Sequence, residues 1–207
     1  PKHKAIDGVP CFPALSAIGQ PIDMVLVATP GAAVPAVIAD AARAGVRNAV
    51  VLSAGFGEIG AEGKALEREV QRVARENHVR LIGPNCLGIM RPSVGLNATC
   101  ARSAARPGPV ALVSQSGAIA AALVDWADSV HIGFSSVVSM GAGVDLDFGE
   151  ILDYLLHDQE TRSILLYVEG IRDARRFISG LRSAARTKPI MVLKVGRHKA
   201  GSRAAMS

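Results

Sequence analysis

The sequence predicts an α/β protein made of two doubly wound parallel-sheet domains, and three observations lead there. Short apolar runs such as Val110 to Val113 stop abruptly at small, glycine-rich turns. Each turn opens into a segment with a helical apolar stripe, so strand–turn–helix units follow one another along the chain. The apolar residues are mostly Ala, Val, Leu and Ile, and aromatics make up only 4%. Unbroken apolar runs of this length suit strands covered on both faces by helices.

Pro1 to Gln20 reads as an irregular entry with one short turn of helix near Ala14. Met24 to Ala28 is the first strand, broken by Thr29, Pro30 and Gly31. Val34, Val37, Ile38 and Ala41 then form a helical stripe, with Pro35 tolerated only in the first turn. Gly45 ends that helix. Ala49 to Leu52 is the second strand, closed by Ser53-Ala54-Gly55. A polar helix begins near Ala61 and buries Leu66, Val70 and Val73. Val79 to Ile82 is the third strand, stopped by Gly83-Pro84-Asn85-Cys86. Residues 98–108 break the periodicity and form the predicted linker, which divides a domain at 1–100 from one at 106–207.

The second half opens on Val110 to Val113, the turn Ser114-Gln115-Ser116-Gly117, and a helix striped by Ile119, Leu123 and Ala127. His131 to Val138 is a strand and Met140 to Asp145 a glycine-rich loop. Asp147 and Glu150 form a capping box ahead of a helix carrying Ile151, Leu152, Leu155 and Leu156. Ile164 to Val168 is a strand ending at Glu169-Gly170. Asp173 caps a helix with Phe177, Ile178 and Leu181, and Ile190 to Val195 is the last strand. The first half has three strands, two helices and no G-x-G-x-x-G turn. A first strand and its phosphate turn are expected to precede Pro1.

The formal charge of +5 permits an anionic ligand. Scarce aromatics argue against a single-stranded nucleic-acid binder, and no nucleic-acid partner is expected. Cys11, Cys86 and Cys100 are odd in number and lack C-x-x-C spacing, so neither a disulfide framework nor a metal site is expected. Neither a secretory signal nor an uninterrupted apolar span is expected from this sequence. The expected setting is cytoplasmic, without a membrane partner; a homo-oligomer is compatible with the sequence.

Ligands of doubly wound sheets bind outside the carboxyl ends of the strands. Here those ends are small, neutral and rich in backbone N–H groups, except for Glu169. The start of the helix after Ser116 places unpaired N–H groups at a positive dipole end, where an anion such as phosphate is favoured. The simpler alternative is that Ser114 or Ser116 only caps the helix. A serine hydrolase would need glycine where Ser114 stands and a histidine partner from His131, His157 or His198. Cys86 is a candidate nucleophile or a buried structural thiol. Asn85 can both donate to and accept from a ligand. Glu169 is either a solvated rim charge or the holder of a histidine ring nitrogen.

Six segments resemble a known family: VLSAGFGE (51–58), LIGPNCLGIM (81–90), VALVSQSGAIAAALVDWA (110–127), GVDLDFGEILDYL (143–155), ILLYVEGIRDARRF (164–177) and KVGRHKAGSRAAMS (194–207). They are similar to the CoA-binding and ligase domains of ADP-forming acyl-CoA synthetases, relatives of the succinyl-CoA synthetase α subunit. The resemblance implies a truncated Rossmann-like CoA-binding domain followed by a flavodoxin-like ligase domain. It implies coenzyme A or acyl-CoA contacts at Lys2, Thr29, Pro30, Ser53, Ala54, Gly55, Asn85 and Cys86. It also implies that Ser114, Ser116 and Gly117 receive a phosphohistidine lying outside this chain, oriented by Glu169. ATP or ADP with Mg and an ATP-grasp domain or subunit are implied for the complete protein. The same domains resemble the synthetase-like region of GNAT-fused protein lysine acetyltransferases, which implies acetyl-CoA-binding regulation as the alternative. A nucleotide-binding scaffold without a CoA role is the third option.

Overall fold

The computed structural model describes residues 3–196. A small antiparallel pair, β1 (Ala5–Ile6) and β2 (Val9–Pro10), opens the chain. It is followed by three parallel strands: β3 (Val25–Val27), β4 (Asn48–Val51) and β5 (Arg80–Ile82). Helices α1 (Val34–Arg43) and α2 (Ala61–Glu76) connect them. Pro35 lies in the first turn of α1, where its missing N–H costs nothing, and Gly45 takes φ +84° just past the end. Val34, Ile38, Val51, Phe56, Val70 and Leu81 are buried in the core of this unit.

The second sheet has six strands in the order β11-β10-β8-β9-β6-β7. Its parallel part comprises β8 (Pro107–Ser114), β9 (Phe134–Ser139), β10 (Ser163–Val168) and β11 (Ile190–Lys194). Helix α3 (Gly117–Ser129) packs with Leu112, Phe134 and Val137 on one face. On the other, α4 (Phe148–His157) and α5 (Ala174–Ala184) cover Ala111, Val113, Ile164 and Leu166. Asp147 and Glu150 form the expected capping box, and Asp173 accepts from Arg176 N to cap α5.

The remaining strands, β6 (Gly88–Arg91) and β7 (Leu96–Thr99), form a hairpin whose β6 pairs antiparallel with β9. Along the chain the three-stranded sheet ends at Ile82 and the six-stranded sheet begins at Gly88, while residues 98–108 run from the end of β7 into the start of β8. Strands of four residues, one holding Gly and Arg and the other Asn, carry too little apolar alternation to stand out in sequence. The strand expected from His131 begins at Phe134. His131 takes φ +59° in the turn after α3, which no extended residue adopts.

Arg91 fastens this hairpin to the far side of the sheet. Its guanidinium donates to both carboxylate oxygens of Asp158 at 2.8 Å and to Ser136 Oγ at 2.9 Å. The pair is largely buried, with side-chain exposures of 19% and 7%. The Arg91 guanidinium holds the Asp158 carboxyl well below the usual carboxylate range, against the opposing effect of burial. Arg91→Met leaves that carboxylate buried and uncompensated, so a loss of about 3–5 kcal/mol is expected in denaturant unfolding. A carboxyl with a depressed folded-state pKa stabilises above its unfolded value of about 4 and ceases to do so as pH falls through the folded value. The gap between wild type and R91M should therefore narrow below about pH 4.

Candidate functional site

Four strand-end turns converge at the junction of the two sheets. The β9–α4 loop reaches across it: Ala142 N donates to Pro84 O at 2.9 Å and Val144 N to Gly83 O at 3.3 Å. Val144 is buried in the core of the three-stranded unit. Asp145 accepts from Leu81 N at 2.8 Å and from Arg80 Nε at 2.9 Å. Arg172 donates to Gly143 O at 2.8 Å, closing the loop from the α5 side. Gly141, at φ +56°, lies so close that an added Cβ would stand 2.2 Å from Pro84 O and 2.4 Å from Asn85 O.

The start of α3 joins the same junction. A Cβ on Gly117 would sit 3.3 Å from Leu87 N, and Leu87 N donates to Ser139 Oγ at 2.9 Å. Met140 N donates to Ser114 O at 2.8 Å. The Asn85–Leu87 turn and the first residues of α3 are thus in direct contact. Ser116 caps the helix by accepting from Ile119 N at 3.3 Å. Gly117 and Ala118, at the first helical positions, have no carbonyl within the helix to bond, and their N–H groups remain for an anion.

Ser114 takes a different role from the expected one. It is fully buried; its Oγ donates to Ser116 O at 2.7 Å and accepts from Ser116 N at 3.1 Å. Its side chain shapes the turn and has no capacity left for a phosphoryl group. Glu169 is half-buried at the end of β10, and its N–H and that of Gly170 both donate to Gln115 Oε1. The turn bearing Glu169 is therefore tied to the one bearing Ser116. Burial pushes the Glu169 carboxyl up, with Lys194 opposing.

On the three-stranded unit, Thr29, Pro30, Ala54 and Gly55 form two facing turns. A Cβ on Gly31 would meet Ala54 O at 2.9 Å. Thr29 Oγ1 is buried without a hydrogen-bond partner among the described residues, an orphaned donor of the kind a bound ligand satisfies. Together with the backbone-rich rim and exposed Asn85, it fits the phosphorylated, amide-bearing chain of coenzyme A. Ser53 is turned inward, its Oγ donating to Val27 O at 3.4 Å while its carbonyl accepts from Asn85 N at 2.9 Å. Asn85 takes φ +54°, a region that Asn tolerates better than most residues. Glu58 braces the turn by accepting from Gly55 N at 2.6 Å. Burial alone would raise its carboxyl, but the N–H groups of Gly55, Glu58 and Phe56 and the Asn85 amide hold it below the usual range. Lys2 lies outside the described residues.

Cys86 is not a nucleophile. It is 6% exposed, its thiol lies 3.2 Å from Val51 O, and burial pushes its pKa up to about 12. Its side chain is part of the packing beneath the turn, so only the backbone there can face a ligand. Iodoacetamide at pH 8 is expected to label exposed Cys100 well before Cys86 in mass-spectrometric mapping. The described histidines lend the serine-hydrolase alternative no support. His131 follows the far end of the thirteen-residue α3, about 20 Å from Ser116 along the helix. His157 ends α4, with its Nδ1 near Asp153 O, and His198 lies outside the described residues. No group of three or more His, Cys, Asp or Glu poised for a metal occurs among the described residues. None of their helices is long and apolar enough to cross a membrane.

Gln115, Gly141 and Arg172 had no role in the sequence reading. Gln115 alone carried a hint, as the one side chain in its turn long enough to bridge to a neighbouring strand end.

Known proteins show the same organisation. Residues 1–92 match the CoA binding domain family, and residues 107–207 the succinyl-CoA ligase like flavodoxin domain family. Over all 207 residues the chain is 42% identical to an acetate–CoA ligase (ADP-forming) I of Archaeoglobus fulgidus, of which it covers 30%. It is 39% identical over 206 residues to the α subunit of acetate–CoA ligase (ADP-forming) II of Pyrococcus furiosus, covering 45% of it. The acetyl-coenzyme A synthetase 1 of Ca. Korarchaeum cryptofilum, in its apo form, superposes with a TM-score of 0.92 at 38% identity. That match covers 98% of this chain and 44% of the other. The chain thus spans between about a third and a half of these relatives. In its two matched domains and their order, the chain is similar to the CoA-binding and ligase part of ADP-forming acid–CoA ligases.

Proposed function

We propose that this chain brings an acyl-CoA thioester and inorganic phosphate together in the first half-reaction of an NDP-forming acyl-CoA synthetase. The observation that carries the reading is the contact between the Asn85–Leu87 turn and the start of α3. The Thr29–Gly31 and Ala54–Gly55 turns take the nucleotide and pantetheine portions, and the Asn85 turn takes the thioester end. Phosphate sits on the N–H groups of Gly117 and Ala118. Its oxygen attacks the thioester carbonyl, the C–S bond breaks, and CoA leaves as the thiol while acyl phosphate forms. Donors fixed in advance at the developing charge lower the barrier most.

The phosphoryl group then passes to a histidine supplied from outside these residues, releasing the carboxylic acid. Glu169 accepts from that ring's other N–H and fixes its tautomer. ADP with Mg²⁺, held by an ATP-grasp domain or subunit, is the final acceptor. The relatives' names support a ligase, and the Korarchaeum enzyme is also known in complex with phosphate and ADP.

The test uses the full-length protein with acetyl-CoA and ³²P-labelled phosphate. Acid-labile label on histidine, discharged by ADP to labelled ATP, is the expected result. Acetyl-CoA binding without any label on histidine would overturn the reading in favour of a regulatory acyl-CoA sensor.

A further inference from the structure

Gln115 fastens the start of α3 and the Glu169 turn to each other. The β8–β10 ladder runs only to the pair Ser114↔Tyr167. Gln115 continues it: its N–H donates to Tyr167 O at 3.2 Å. Its Oε1 accepts from Glu169 N at 2.7 Å and Gly170 N at 2.9 Å. Only the oxygen of an amide can accept two N–H groups, so the partners dictate this side chain's orientation. From the opposite side, Lys194 Nζ donates to Glu169 O at 2.8 Å. The Glu169 peptide is thereby held at both its N–H and its carbonyl, while its side chain carries no hydrogen bond among the described residues.

We infer that Gln115 is a positioning residue, which fixes the distance from the Glu169 carboxylate to the anion-binding start of α3. The inference rests on the proposed function, because the fixed distance matters when phosphoryl group and histidine ring must meet between the two turns. Losing the acceptor frees two N–H groups at once and lets the Glu169 turn shift. A displacement of about 1 Å is enough to slow a group transfer roughly 10²-fold.

The test compares full-length wild type, Gln115→Met and Gln115→Glu. Methionine keeps the length but accepts no hydrogen bond, whereas a glutamate oxygen can still accept both N–H groups. Hydrogen exchange at Glu169 and Gly170 should quicken at least about tenfold in Q115M and stay near wild type in Q115E. The rate of histidine phosphorylation should fall roughly 10²-fold in Q115M, with the KM for acyl-CoA unchanged. Unchanged exchange in Q115M or an unchanged phosphorylation rate would each overturn the inference. A wild type that never phosphorylates histidine would sink the proposed function instead, and the exchange comparison would still decide whether the fastening exists.

Discussion

Gly141→Ala should cost both stability and CoA affinity. The added methyl carbon would stand 2.2 Å from Pro84 O and 2.4 Å from Asn85 O, which are backbone atoms with no side chain to swing aside. The left-handed φ adds about 1–2 kcal/mol for any L residue. Relieving the clash means moving the β9–α4 loop away from the Asn85 turn, at a further cost of about 1–3 kcal/mol. Gly143 provides the control. Its φ is also left-handed, at +57°, but a Cβ there would meet nothing nearer than Leu146 O at 3.4 Å. G143A should therefore lose only the conformational part. Denaturant unfolding and CoA titration of both variants check this, with G141A the weaker on each count. Equal losses would mean that the close approach at Asn85 does not govern the site.

Glu169→Gln is expected to slow histidine phosphorylation about 10²-fold in the full-length protein, because the ring loses the charge that stabilises its reacting form. Acyl-CoA binding should be unaffected, since Glu169 lies on the second sheet, away from the Thr29 and Ala54 turns. The pH dependence supplies a second readout. Burial raises the Glu169 carboxyl despite Lys194. The active, ionised form is thus lost as pH falls through a value above the ordinary glutamate pKa of about 4.3, and the acid limb of the rate profile lies there. E169Q has no proton to take up at this position and should lack that limb. A full rate in E169Q would remove Glu169 from the account.

The architecture was legible wherever apolar runs were long enough to exceed local noise. Val110 to Val113, Ile164 to Val168 and the stripe on α1 all became the strands and helix they predict. Caps were legible too, because Asp147 with Glu150 and Asp173 act through bonds within one turn. The β6–β7 hairpin was not, since its pairing with β9 depends on residues about 50 positions away. At the site, the turns could be ordered along the chain but the inward or outward aim of each side chain could not. Ser114, Ser53 and Cys86 are the residue types a ligand would want, yet Ser53 and Cys86 are directed into the protein by partners on other strands and Ser114 by Ser116 in its own turn. Gln115 shows the converse: its importance comes from two backbone N–H groups more than fifty residues on.

The central claim is that the thiol end of CoA and a phosphate group share the space between the Asn85–Leu87 turn and the start of α3. A crystal structure of the full-length protein with CoA and phosphate tests it most directly. The account predicts the CoA sulfur beside Asn85 and phosphate oxygens within about 3 Å of Gly117 and Ala118 N–H, close enough for attack on a thioester carbonyl. CoA seated with its thiol away from Asn85, or phosphate bound only at a site remote from Gly117, would contradict it.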